Sequence, residues 1–269
     1  MAGGGARSGS GSGAGRRVPV VITLHGSDVI LARRLRPLAR RVARRAAGVT
    51  AVSGALAAEA AEILDLPVGV TAMPVVVTPP PAARTRAGIV AVGRLTPEKG
   101  FDVLLDALRL VPMPLTLVGA GPLEAALRRQ AEGMDVRWTG MLTRPELHPL
   151  LAGAAAVVVP SRREGLGLVA VEAILLGTPV IASFTGGLPE ALGAFDAPRP
   201  SYGEVLDAPG GLLVPPDHVG ALAAALARVP TLGAPGGLAV VGAARHRPDA
   251  VGERHLALYR SVLDSTGDR

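Results

Sequence analysis

Short apolar runs recur along this chain, and most lead into a stretch where apolar residues return at every third or fourth position. A continuous short run fits a strand buried on both faces, and the wider spacing fits a helix that packs one side. At the start, VPVVITLHG and GVTAVS read as strands, each followed by a helical pattern. AMPVVVTPPPAARTRAG then breaks into a proline-rich linker and puts a domain boundary near residue 84. Beyond it the alternation is regular: strand GIVAVG, helix about 100 to 110, strand PLTLVG, helix 122 to 131, strand DVRWTG, helix 144 to 151, strand AAVVVP, helix 168 to 176, strand PVIAS. This order predicts an α/β fold with a parallel sheet and helices on both faces. GGLLVPPDHVGALAAALARV adds a strand and a helix, and ERHLALYRSVL a closing amphipathic helix. No repeat at solenoid periods is present.

The chain has 269 residues, of which 49% are hydrophobic, enough for one large or two modest globular domains. It contains no cysteine, which removes disulfides and thiolate metal sites and makes a reducing compartment, the cytoplasm, the natural setting. The apolar run 165–182 approaches a membrane span in length, but Glu172 and the Gly177-Thr178-Pro179 break divide it into two short elements. The first seventeen residues, MAGGGARSGSGSGAGRR, lack the apolar stretch of a secretory signal and read as a disordered tail.

Net charge is +6, and the excess is uneven: ten arginines precede residue 50 against a single acid, Asp28. In LARRLRPLARRVARRAAG, Leu31, Leu35, Leu38 and Val42 recur at helical spacing among arginines, with Pro37 starting or kinking a helix. A basic amphipathic segment over 33–45 suits an anionic membrane surface; the plain alternative is a solvated face. Nucleic acid is disfavoured, because aromatic residues are 2% of the chain and offer no stacking platform.

In open α/β sheets ligands gather at the carboxyl ends of the strands, so the residues just after each strand carry the chemistry. Here they are GRLTPEKG with Arg94 and Lys99, then GAGP, SRREGLG with Glu164, and FTGGLPE. Lys99 is the only lysine in the chain. An ammonium and a guanidinium together can neutralise a diphosphate, although solvated charges flanking a helix would look the same. GAGP lacks the third glycine of a dinucleotide fingerprint, which argues against a nicotinamide cofactor. Gly186 and Gly187 could bring backbone amides close to an anion. Glu172 sits among Val169, Ala170, Val171, Ala173 and Ile174 and needs either solvent or a partner; vicinal hydroxyls of a ribose would serve.

With these residues in this order, the chain resembles the retaining glycosyltransferases of family 4. GRLTPEKG, EGLGLVAVEAILLGTPVIAS with two glutamates separated by seven residues, FTGGLPE and GGLLVPPD look like that family's donor-domain motifs, from about 88 to 228. The resemblance implies the GT-B fold: one complete Rossmann-like parallel-sheet donor domain over 85–240 and a truncated N-terminal α/β acceptor-side domain over 18–84. A C-terminal helical segment, 241–269, would pack back on the N-terminal part. It further implies that Arg94 and Lys99 bind the diphosphate, Glu172 the ribose and Glu164 the donor sugar. Gly93, Gly165, Leu166, Gly167, Leu168, Gly186, Gly187 and Leu188 would line the substrate. TLHGSD places His25 beside the sugar, so that His25, Arg94, Lys99 and Glu164 form the catalytic set. No metal and no cofactor beyond the nucleotide-sugar donor is implied. The acceptor is expected to be lipid-linked or a small molecule, and the location cytoplasmic or peripheral on the inner membrane face. The alternative is a catalytically incomplete sugar-nucleotide-binding module that needs a partner chain; an epimerase on the same fold matches the motifs less well.

Overall fold

A computed structural model describes residues 18–78 and 86–267. The tail read over the first seventeen residues and positions 79–85 of the proline-rich linker lie outside the described residues. The apolar runs resolve into two parallel sheets. The smaller has three strands in the order β1 (Val21–Leu24), β2 (Gly48–Ala51) and β3 (Gly69–Val70), all parallel. Between β1 and β2 the chain forms α1 (Ser27–Arg34) and α2 (Arg36–Ala43). Pro37 falls in the first turn of α2, where a missing N–H costs nothing, so the proline starts the second helix. α3 (Gly54–Leu64) follows β2, capped by Ser53 Oγ, which accepts from the Leu56 N–H.

The larger sheet contains β4 (Ile89–Val92), β5 (Leu115–Val118), β6 (Val136–Gly140), β7 (Ala156–Val159), β8 (Val180–Ser183), β9 (Leu206–Ala208) and β10 (Gly211–Val214). Their spatial order is β6-β5-β4-β7-β8-β10-β9, with only β9 antiparallel. The helices are α4 (Phe101–Leu110), α5 (Glu124–Gln130), α6 (Arg144–Gly153), α7 (Leu168–Leu175), the short α8 (Leu188–Ala191), α9 (Val219–Ala227), α10 (Gly237–Ala244) and α11 (Pro248–Gly267). One apolar layer joins Leu104, Leu105, Leu117 and Leu226 on one sheet face; a second joins Leu151, Val157, Ala170 and Ile174 on the other. β7 and β8 are buried at every position, so their sequences are apolar without alternation.

Strand order reverses between β4 and β7: the chain runs outward from β4 through β5 to β6, then returns to continue from β7 through β8. That reversal opens a crevice at the carboxyl ends of β4 and β7, the place where such sheets bind ligands. The first half of the linker is not loose. Val75 is buried and donates its N–H to the His246 carbonyl, while Thr78 N–H reaches the His148 ring. In α11, Val262 lies against Gly48 of β2.

The two sheets meet through polar contacts as well. Glu190 of α8 accepts from the Gly54 and Ala55 N–H groups at 3.0 and 2.8 Å, filling the open N-terminus of α3 from the opposite lobe. Arg245 reaches the same carboxylate at 3.3 Å, and Ser53 Oγ donates to the Gly165 carbonyl at 2.7 Å. Hydrogen bonds to a charged group contribute about 1.5–3 kcal/mol. Glu190→Ala is therefore expected to speed amide exchange at Gly54 and Ala55 by about tenfold or more while leaving the amides of β4 and β7 unchanged; hydrogen exchange read by mass spectrometry checks this.

Candidate functional site

The crevice is built from the loops that follow β1, β4 and β7. After β4, Gly93 and Arg94 turn along the sheet edge, and a single 3-10 turn, Pro97–Lys99, leads into α4. That turn presents Lys99, whose Nζ lies 2.7 Å from Glu164 Oε2 in the loop after β7. Both side chains are mostly buried, so the pair is shielded from solvent. Ser161 Oγ donates to the same carboxylate oxygen at 3.3 Å.

The loop carrying Glu164 is fixed by Arg162, which sequence reasoning passed over. Its guanidinium holds Asp102 in a two-point grip at 2.9 and 2.7 Å, and also binds Asp217 and the Pro97 carbonyl. The Arg162 hydrogen bonds hold the Asp102 carboxyl below its usual range, and Asp102 in turn raises the guanidinium pKa. Arg162 and Arg163 also donate backbone N–H groups to the Glu98 carbonyl, joining this loop to the turn that carries Lys99.

Two glycines permit the close approach of backbones here. Gly186 has φ +54, and a Cβ on it would lie 1.6 Å from the Glu164 carbonyl oxygen. At Gly165 a Cβ would lie 2.6 Å from the His25 carbonyl oxygen, so the loop after β1 can rest on the loop after β7 only because no side chain intervenes. His25 is thereby brought over Glu164, exposed, with its backbone N–H held by Asp28 at 2.7 Å.

A cleft of about 220 Å³ results, lined by His25, Gly93, Lys99, Glu164, Gly165, Leu166, Gly167 and Leu168, among others. A second, of about 170 Å³, is lined by Arg94, Gly119, Ala120, Met141, Leu142 and Leu147 and shares Val92 and Gly93 with the first. Arg94 is exposed, its carbonyl accepts the Thr96 N–H at 2.9 Å, and its charge adds to the hydrogen bonds that lower the Glu98 carboxyl pKa, without a direct ion pair among the described residues. Lys99, Glu164 and His25 thus share one cleft, and Arg94 stands in the adjoining one.

Four expected contact residues line neither cleft. Leu188 is fully buried beneath Gly167 and lines neither cleft. Gly186 and Gly187 pack on the backbone of Glu164 and Gly165. Glu172 is buried, not open at the rim: its Oε1 is 3.7 Å from an Arg144 nitrogen and its Oε2 is 3.8 Å from His148 Nε2. Burial raises the Glu172 carboxyl pKa above its ordinary 4.5, and Arg144 partly offsets this. The sequence had asked what partner that carboxylate meets, and the answer within the fold is α6.

Among the described residues no helix is long and apolar enough to cross a membrane. Residues 86–231, more than half of the chain and including Arg94, Lys99, Glu164 and Glu172, match the family model described as Glycosyl transferases group 1. Over 120 residues the chain is 40% identical to D-inositol 3-phosphate glycosyltransferase of Jonesia denitrificans, covering 39% of this chain and 28% of the relative. Over 119 residues it is 37% identical to the GDP-mannose-dependent alpha-(1-6)-phosphatidylinositol dimannoside mannosyltransferase of Mycobacterium tuberculosis, covering 42% and 31%. The chain thus spans less than a third of the length of either relative. Similar solved folds include sucrose-phosphate synthase from Thermosynechococcus elongatus, with a TM-score of 0.73 at 24% identity, covering 91% of this chain and 68% of that one. Anabaena Alr3699/HepE, solved in complex with UDP-glucose, gives 0.72 at 21% identity, covering 90% and 72%. The switch-point crevice, the GT-B neighbours and the match over the larger lobe agree, and the chain belongs to the group 1 glycosyl transferases.

Proposed function

We propose that this protein transfers a sugar from a nucleotide-diphosphate sugar to an acceptor hydroxyl with retention at the anomeric carbon, and that the crevice between β4 and β7 is its donor site. The observation that carries the reading is the Lys99–Glu164 pair, shielded at the switch point with His25 above it and an unpaired Arg94 alongside. The names of the relatives support a nucleotide-sugar donor, since one uses GDP-mannose and a neighbouring fold was solved with UDP-glucose.

In the chemistry that follows, the bond between the anomeric carbon and the diphosphate oxygen breaks, and negative charge grows on the departing diphosphate. Lys99 and Arg94 lie where that charge develops, and preorganised cations lower the barrier because they need no reorientation. Donor arrival exchanges partners: Lys99 takes a phosphate oxygen, and Glu164 is released to the sugar hydroxyls. The acceptor oxygen bonds to the anomeric carbon on the face the diphosphate leaves, and its proton passes to the departing phosphate oxygen. No carboxylate nucleophile is needed. Arg144, half-exposed over Glu172 Oε1, is the group whose displacement opens that carboxylate to the ribose hydroxyls.

The N-terminal lobe supports a membrane-seated acceptor. Leu31, Leu35, Leu38 and Val42 are each 47–58% exposed along one stripe of α1 and α2. Arg33, Arg36, Arg40 and Arg44 are tied to α3, whereas Arg34, Arg41 and Arg45 are exposed without an ion pair among the described residues. An apolar stripe flanked by unpaired arginines fits an anionic bilayer. The three-stranded sheet of that lobe, against seven strands in the other, favours a second reading in which the chain binds donor and turns it over only with a partner chain.

A thermal-shift screen of UDP- and GDP-sugars, followed by a transfer assay on any donor that stabilises, tests both readings; binding without turnover selects the second, and no stabilisation by any donor rejects both. Lys99→Ala is expected to lower turnover about a hundredfold while shifting urea unfolding by no more than about 1–2 kcal/mol. Glu172→Gln should act oppositely on binding and stability. Because the folded carboxyl holds its proton more tightly than the unfolded one, native stability is lost, at a cost to the folded state, as pH rises above the ordinary carboxylate value of about 4.5. The amide removes that cost, so the variant melts higher than the parent at pH 7, equally at pH 3, and binds UDP or GDP more weakly. With phosphatidylglycerol vesicles the parent should co-float, and Leu35→Glu with Leu38→Glu should not; equal binding to phosphatidylcholine would remove the membrane reading.

A further inference from the structure

We propose that His148 is a positioning residue that holds one oxygen of Glu172 in place while the other exchanges Arg144 for the ribose hydroxyls. The inference rests on the ribose role of Glu172 given above. His148 lies on α6 with its side chain almost wholly buried. Its Nδ1 accepts the Thr78 N–H at 3.1 Å, so the ring proton of the neutral imidazole is on Nε2. Burial and the nearby Arg144 both disfavour the charged ring, which keeps that neutral form. Nε2 has no hydrogen-bond partner in the protein, and Glu172 Oε2 is 3.8 Å away.

An unsatisfied buried N–H is costly, and a carboxylate that moves by a fraction of an ångström satisfies it. Glu172 therefore sits between two donors at similar distances and of different character. Arg144 is half-exposed on a long side chain and can swing away; His148 is enclosed and tied to backbone at its other nitrogen. When the ribose displaces Arg144 from Oε1, the imidazole N–H closes on Oε2 and fixes the plane in which the carboxylate meets both hydroxyls.

His148→Asn keeps an oxygen near the Nδ1 position for Thr78 and removes the reach toward Glu172, whereas His148→Gln restores a donor at the Nε2 distance. The probes are UDP and GDP, each against its 2′,3′-dideoxy counterpart, with melting temperatures to establish folding. The expected result is that His148→Asn weakens UDP or GDP about tenfold, leaves the dideoxy nucleotide unchanged, and that His148→Gln recovers most of the loss. An equal loss for both nucleotides, no loss, or no recovery would overturn the positioning role. Glu172→Gln, titrated in parallel, separates the two ideas: if it discriminates the hydroxyls and His148→Asn does not, the inference fails and the ribose reading stands. If neither variant discriminates, both fall. Should His148→Asn not fold, His148→Gln carries the test: parent-like preference for the hydroxyls supports the proposal, and its disappearance overturns it.

Discussion

The site depends on two lobes being held so close that backbone lies on backbone. Gly165 meets the His25 carbonyl across the lobes with no side chain between them, and within the larger lobe Gly186 meets the Glu164 carbonyl in the same way. Neither contact has much affinity of its own, because bare peptide groups offer little apolar area to bury. What maintains the contact between the lobes is the carboxylate of Glu190, which closes the N-terminus of α3 from across the crevice, and the Ser53 hydroxyl on the Gly165 carbonyl. With the lobes so joined, the carboxyl ends of β1, β2, β4 and β7 converge on one volume.

Within that volume electrostatics divides the labour. Lys99 and Glu164 neutralise each other in the resting protein, which lets two charges stay together in a shielded place without a large desolvation cost. Arg94 stays solvated and unpaired, ready for an anion at little cost. Glu172 is the exception, a buried carboxylate with donors near but beyond hydrogen-bonding distance. Such an arrangement is expensive for the folded chain, and burial raises the carboxyl pKa accordingly.

The alternation of strand and helix from 88 to 183 was legible because parallel strands buried on both faces must be apolar throughout, and their helices must show one apolar side. β3 and β9, at two and three residues, are too short to carry a period, and α8 is a single turn begun around Pro189. GLAVVGAA, which forms α10, is apolar on every side and shows no stripe to read. The half of the linker that packs was read as a breaker on its prolines, although Val75 is core. Among site residues, Lys99 and Glu164 were accessible because each lies in a loop after a strand of the larger sheet, and His25 through the resemblance of TLHGSD to the family's strand end. Arg162, Glu190 and His148 were not, since their partners Asp102, Gly54 and Thr78 lie far away along the chain and only the fold brings them together. Leu188 was placed at the substrate by the family resemblance; in the fold it begins a helix and is fully buried.

The solitary lysine has a practical corollary. Apart from the amino group that begins a polypeptide, Lys99 carries the one aliphatic amine of the sequence, and it points into the crevice against an acid. Acylating reagents aimed at amines will therefore modify a single internal position, and the degree of modification becomes a direct gauge of whether that position is occupied.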